Sequence, residues 1–183
     1  MSNQQLILAF FADEATADDA VATLKQWDRA NDDIRFGAIG VLVKDADGKI
    51  KAHKAGTRAG KKGAKTLAVV GALAGVLSGG LTVIGGIVGG AVMGGVLGAF
   101  FHQGLGLSKE DLARISGELD GGKAAVGLIV KTGEVAMISE ALTSLGGRLE
   151  TYAVTDEAVE QAVASAEAEA EAEAAPDADA TKE

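Results

Sequence analysis

TLAVVGALAGVLSGGLTVIGGIVGGAVMGGVLGAFF, residues 66–101, contains no Asp, Glu, Lys or Arg, and the next formal charge is Lys109. Glycine recurs in it at four-residue spacing, as Gly71, Gly75 and Gly79 and again as Gly86, Gly90, Gly94 and Gly98. That period puts each set on one helical face, where missing side chains let a second helix backbone come close. In lipid, such faces drive helix association, because apolar side chains alone gain nothing there from leaving water. In water the same helix is poor, since each Gly costs about 1 kcal/mol against Ala. The Leu, Val, Ile and Ala between the glycines leave little polar face for solvent. The stretch requires lipid or another copy of itself.

As one helix, residues 66–101 would reach about 54 Å, well beyond a hydrocarbon layer of about 30 Å. Ser78-Gly79-Gly80 lies near the middle and is the natural turn. The reading is a helical hairpin, with one arm ending near Ser78 and a second over 81–101. The second arm is long enough to cross a bilayer. The first has about 13 uncharged residues, and reaches across only if Arg58, Lys61, Lys62 and Lys65 lie at the interface and snorkel outward. A spanning hairpin, a shallow re-entrant one and a soluble assembly that hides the hairpins against each other all stay open.

The flanks repeat one pattern. Before the insert, LILAFF (6–11) is a short apolar run of the kind a buried strand carries. Thr16 is positioned to cap a helix, with Asp19 three residues on, and Ala17, Val21, Leu24 and Trp27 share its apolar face. FGAIGVLVK (36–44) is the next strand, residues 45–48 (DADG) a turn, and 49–54 a short basic edge strand. After the insert, Ser108 and Asp111 open a helix with Leu112, Ile115 and Leu119 facing inward. AAVGLIVK (124–131) is a strand, 134–145 a helix, and RLETYAV (148–154) the last strand, entered through Gly146-Gly147. Two strand–helix–strand units predict an α+β fold, the ferredoxin-like split βαβ sandwich: four antiparallel strands with two helices on one face. The hairpin is inserted between the halves, so both halves lie on the same side of any bilayer. The expected divisions are a first βαβ half (1–56), basic entry and hairpin (57–103), a second αβαβ half (104–156) and an acidic tail (157–183).

Charge placement sharpens this. The formal net charge is −9, and the residues from 156 onward, ten acidic and one Lys, account for all of it. The tail alternates Ala and Glu and reads as solvated. From Lys44 to Lys65 there are eight Lys or Arg against Asp45 and Asp47, ending where the uncharged run begins. Cations beside a membrane segment bias that end to the cytoplasm and attract anionic lipid. The N-terminus has no cationic region ahead of its apolar run, so insertion is expected to be directed by the hairpin. With no Cys, disulfides and thiolate metal sites are excluded.

Catalytic chemistry is hard to assemble. Gly56, Gly60, Lys61 and Lys62 fall one residue short of a phosphate loop, and Lys62 stands where magnesium needs a hydroxyl. His53 and His102 have no metal-ligand spacing around them. The carboxylate pairs Asp18-Asp19 and Glu110-Asp111 belong to helix starts. No nucleophile–base pair is evident, and no cofactor, metal or catalytic residue is expected. Aromatic interleaving for nucleic acid is missing, and the acidic tail repels phosphate.

The order of these blocks resembles a bacterial domain-of-unknown-function family described as predicted membrane proteins. It also shares features with small general-stress proteins that join a βαβ unit to a glycine-rich hairpin. The resemblance rests on the opening strand followed by DEATADDAVATL (13–24), VLVKDADGKIKAHKAG (41–56), the glycine-zipper hairpin, and the helix ending at Gly146-Gly147 before RLETYAV. The acidic tail lies outside it. It implies membrane or envelope association, with a role in stress response, and carries no catalytic residues. The expectation is a non-enzymatic inner-membrane protein that faces the cytoplasm, self-associates through its glycine faces and binds anionic lipid through Arg58, Lys61, Lys62 and Lys65. The alternative is a soluble, cytoplasmic self-assembling particle with buried hairpins enclosing lipid or apolar cargo.

Overall fold

The computed structural model describes residues 4–30, 39–54, 69–71, 73, 74, 77, 107–160, 162 and 164, with main chain alone at 28–30, 53 and 54. Strand β1 (Gln4–Phe11) leads into helix α1 (Glu14–Ala30), and β2 (Gly40–Lys44) turns back as β3 (Ile50–Lys54). Helix α2 (Lys109–Glu118), β4 (Ala124–Lys131), a 3-10 turn (Thr132–Glu134), α3 (Val135–Ser144) and β5 (Arg148–Val154) follow. All five strands form one antiparallel sheet in the order β3-β2-β4-β1-β5. The protein is therefore mixed α+β.

Strand β1 is paired on both sides, by β4 and β5. Its apolar run feeds both faces: Leu6, Leu8 and Phe10 point one way, and Ile7, Ala9 and Phe11 the other. A strand apolar on both faces needs cover on both. Helices α1 and α3 cover one face with Ala17, Ala20, Val21, Leu24, Ile138 and Leu142. The other is covered by Leu112 and Ile115 of α2, by helical residues between 69 and 77, and by Val159 and Ala162 beyond β5. The edge strand expected over 49–54 is present as β3 and makes the sheet five-stranded, one more than the four of the expected sandwich, and the second face, expected without helices, is buried too.

Local signals explain most boundaries. Helix α1 begins earlier than the Thr16 cap implied. The Asp13 carboxylate caps it, accepting from the Thr16 N–H at 2.7 Å and the Thr16 hydroxyl at 2.7 Å; Asp18 and Asp19 therefore fall in the second turn. The Ser108–Asp111 capping box is formed in both directions. Helix α3 closes at Gly146, whose φ of +88° is a conformation that only glycine adopts without strain. Past β5, Thr155 Oγ1 accepts from the Ala158 N–H at 3.1 Å and starts the helical residues 156–160. Ala158, Val159 and Ala162 are buried, so the core takes in the first residues of the segment 157–183 that was expected to be a solvated tail.

The second face is keyed by two glycines. Gly40 and Gly127 are cross-strand partners on β2 and β4, and helical Val70 sits on them. A Cβ at Gly40 would lie 2.7 Å from Val70 Cγ1, and one at Gly127 would lie 2.8 Å from Val70 Cγ2. Each methyl fills the space of one missing side chain. Gly127→Ala is expected to cost about 1–3 kcal/mol by overpacking. Val70→Ala should cost about 2 kcal/mol through lost methyl burial. Measured by urea unfolding, the double variant should fall short of the sum by more than about 0.5 kcal/mol, as touching residues do; strictly additive costs would mean that the notch does not hold Val70.

Candidate functional site

The site of interest is the place where the uncharged stretch joins the domain. Val69, Val70, Leu73 and Ala74 are helical and at most 1% exposed. With partly buried Leu77 they follow the i, i+1, i+4, i+5, i+8 spacing of one helical stripe. Leu107, at the far end of the stretch, is buried in the same cluster. Both ends of the stretch are therefore held on one face of one sheet. The β-strand residues beneath them are Leu6, Leu8, Leu42, Ile50 and Ala125.

Of the residues assigned to helix packing, Gly71 is helical and buried. Gly75, Gly79, Gly86, Gly90, Gly94 and Gly98 lie outside the described residues, as do Arg58, Lys61, Lys62 and Lys65. Among the described residues no helix is long and apolar enough to cross a membrane.

A charged network clamps α2, the helix that follows Leu107, onto edge strand β5. Glu150, only 12% exposed, accepts from Arg114 Nε at 3.1 Å, from Arg148 Nη1 at 3.0 Å and from the Tyr152 hydroxyl through a short hydrogen bond. Arg114 reaches back to Asp111 at 2.8 Å and donates to the Tyr152 oxygen at 3.2 Å. Arg148 pairs with Glu118 at 2.6 Å and lies over the Phe10 ring, 5.1 Å from its centroid. Burial pushes the Glu150 carboxyl up, but the bonds from Tyr152, Arg114 and Arg148 outweigh it and hold the carboxyl below its ordinary range. A carboxylate so held is a poor base at neutral pH, and its acceptor positions are filled. The network is a clamp.

Among the described residues no three His, Asp or Glu side chains come together as a metal site. Comparison with family models, with curated proteins and with solved structures found no match. Sequence reasoning missed both the glycine notch and the clamp. A signal for the notch existed, since isolated glycines within apolar strands mark close approach by another element. For the clamp there was only parity: Arg148 and Glu150 alternate with Leu149 and share a face with buried Tyr152.

The chain has one tyrosine, so the clamp can be read directly. Burial, and next the hydrogen bond to Glu150, push the Tyr152 phenol up to about 12. An unfolded chain ionises it near the ordinary value of about 10. Because the folded state keeps the proton longer, this contribution to stability is complete below about pH 10 and is lost as pH rises toward 12. Phenolate absorbance should show a midpoint near 12 in the folded protein and near 10 in concentrated urea. In Glu150→Gln the folded midpoint should fall but stay above 10, because burial remains. A folded midpoint at 10 in the parent would contradict the clamp.

Proposed function

We propose that this is a non-enzymatic, membrane-associated protein that self-associates through the glycine faces of residues 66–101 and presents an α+β domain on the cytoplasmic side of the inner membrane. The observation that supports this most is the common anchorage of Val70 and Leu107. A stretch with both ends in one domain has to leave and return on the same side, which is what an inserted hairpin does and a single crossing does not. The uncharged composition of residues 66–108 supplies the reason for lipid. The order β2-β4-β1-β5, with α1 and α3 on one face, suits a ferredoxin-like split βαβ sandwich to which β3 and the second-face helices are additions. The basic run ending at Lys65 suits an anionic, cytoplasmic surface. A role in envelope or stress response follows from the family resemblance drawn on the sequence blocks.

One observation favours a second reading. Val69, Val70, Leu73 and Ala74 are buried by protein, so part of the stretch is satisfied without lipid. Continued to the glycine-rich remainder, that logic yields a soluble particle with hairpins packed against each other around lipid or apolar cargo. Cell fractionation followed by detergent-free particle sizing separates the two. Recovery in the membrane pellet is expected, and a soluble, large, uniform particle would replace the membrane reading with this one.

Two further outcomes follow for the residues assigned to packing and lipid. Gly90→Leu with Gly94→Leu should block close backbone approach and reduce cross-linked oligomers in native membranes; an unchanged ladder would make the four-residue spacing incidental. Replacing Arg58, Lys61, Lys62 and Lys65 with Gln should weaken binding to anionic vesicles by about 1 kcal/mol for each charge near the surface. Salt should weaken the parent more than the variant, and equal binding of the parent to neutral and anionic vesicles would remove lipid electrostatics from the account.

A further inference from the structure

The two edges of the sheet are guarded very differently. Among the described residues, β3 has β2 as its one partner strand and β5 has β1. The outer side of an edge strand is a template for another strand, and proteins blunt it with short strands and charges, lysine above all. Strand β3 follows that pattern. It has five residues, IKAHK, and the Lys51 side chain is 43% exposed where it pairs with Asp45 at 3.1 Å.

Strand β5 does not. Its seven residues, RLETYAV, include types that favour strands. Its charged side chains are spent on the helix that covers the second face: Arg148 pairs with Glu118 of α2 at 2.6 Å, and Glu150 accepts from Arg114 of α2 at 3.1 Å. On the first face its side chains are Leu149, Thr151 and Ala153, none of them charged, and Thr151 and Ala153 are exposed. Helix α3, which packs on β1 and β5 from that face, has Glu140 as its one charged residue. The strand edge thus lies beside uncharged side chains on one face and beside charges already paired on the other.

We propose that β5 is a docking edge for a second copy of this chain, the two β5 strands pairing antiparallel about a two-fold axis at Thr151. Symmetry, overlap and charge select that occupant. A strand that pairs antiparallel with its own copy uses the same edge on both, so the assembly closes at two. Pairing to β3 of another copy would be head-to-tail and would meet the lysines that guard that edge. Thr151 is the middle residue of β5, so an axis there gives the longest overlap. It sets Thr151 opposite Thr151 of the second copy, a pairing that stabilises neighbouring strands. Leu149 then lies opposite Ala153 of the second copy, and Glu150 opposite Tyr152. No like charges stand directly opposite each other, and each charge on β5 keeps its partner within its own copy. This contact is made by the α+β domain and is separate from the glycine faces of residues 66–101.

The protein contains no Cys, so single probes have a clean background. Thr151→Cys and Ala153→Cys variants of the full chain would be treated with a short bifunctional maleimide, in the parent and again with Gly90→Leu and Gly94→Leu present. Directly opposed Cβ atoms lie about 5 Å apart, which is the case for position 151 with itself. Position 153 lies about 14 Å along the strand from its own copy. Thr151→Cys is expected to give a covalent dimer at least tenfold faster than Ala153→Cys, in both backgrounds. Co-expressed Leu149→Cys and Ala153→Cys chains should give the mixed dimer, although neither forms one alone. Retention of the raised Tyr152 midpoint would establish that each variant is folded. Equal rates at 151 and 153, or no dimer either at 151 or from the mixed pair in folded protein, would overturn the proposal. Loss of the 151 dimer on substitution of the glycines would also overturn it, since the contact would then belong to the glycine-face assembly.

Discussion

Val70 in the notch of Gly40 and Gly127 is the contact on which the second face of this protein depends. Two strands give up side chains at directly opposed positions, and one valine fills both spaces with its two methyls. A Cβ at either strand position would come within 3 Å of a Val70 methyl, so that contact would have to shift. Leu8, Leu42 and Ala125, at the middle of the sheet, are buried in the same cluster as Val70. The notch therefore links two matters that look separate: closure of the core, and the point from which the glycine-rich stretch departs.

Around that contact the sheet is a two-sided object. On one side, α1 and α3 pack in the manner their apolar stripes dictate. On the other, three pieces distant in sequence converge: the 69–77 residues, α2, and the helical residues after β5. The clamp of Arg114, Arg148, Glu150 and Tyr152 fixes α2 against edge strand β5 at the rim of this assembly. Its partly exposed ion pairs add modestly to stability, and its better-buried bonds to Glu150 supply orientation. Leu107 enters α2 through the Ser108 capping box, so the return of the stretch is as firmly fixed as its departure.

Geometry and composition meet at the glycine-rich stretch. A glycine-rich, uncharged stretch has no stable life in water as an isolated helix, and its ends are pinned within one folded unit. Residues 66–108 carry no carboxylate or cation of the kind that lines a path through a membrane. Among the described residues the most constrained carboxylate, Glu150, has its acceptors filled by Tyr152, Arg114 and Arg148.

Much of the architecture was legible in the chain because it is written in short-range patterns. The alternation in RLETYAV, the capping pair Ser108 and Asp111, the turn at DADG and the helix-ending Gly146 each act through neighbours a few residues away. Strands β1, β3, β4 and β5 accordingly lie where periodicity put them. Asp13, which took the cap from Thr16, shows the limit of such signals when two capping residues stand close together. What the chain could not declare was the destination of Val69, Val70, Leu73 and Ala74. In sequence they are the first turns of a glycine-zipper arm, chemically as suited to lipid as to protein. Only pairing β2 with β4 brings Gly40 opposite Gly127 and creates a space the shape of a valine. Hydrophobicity is non-directional and says that a side chain leaves water; which surface receives it is decided by complementary shape, and shape exists only after the strands have met.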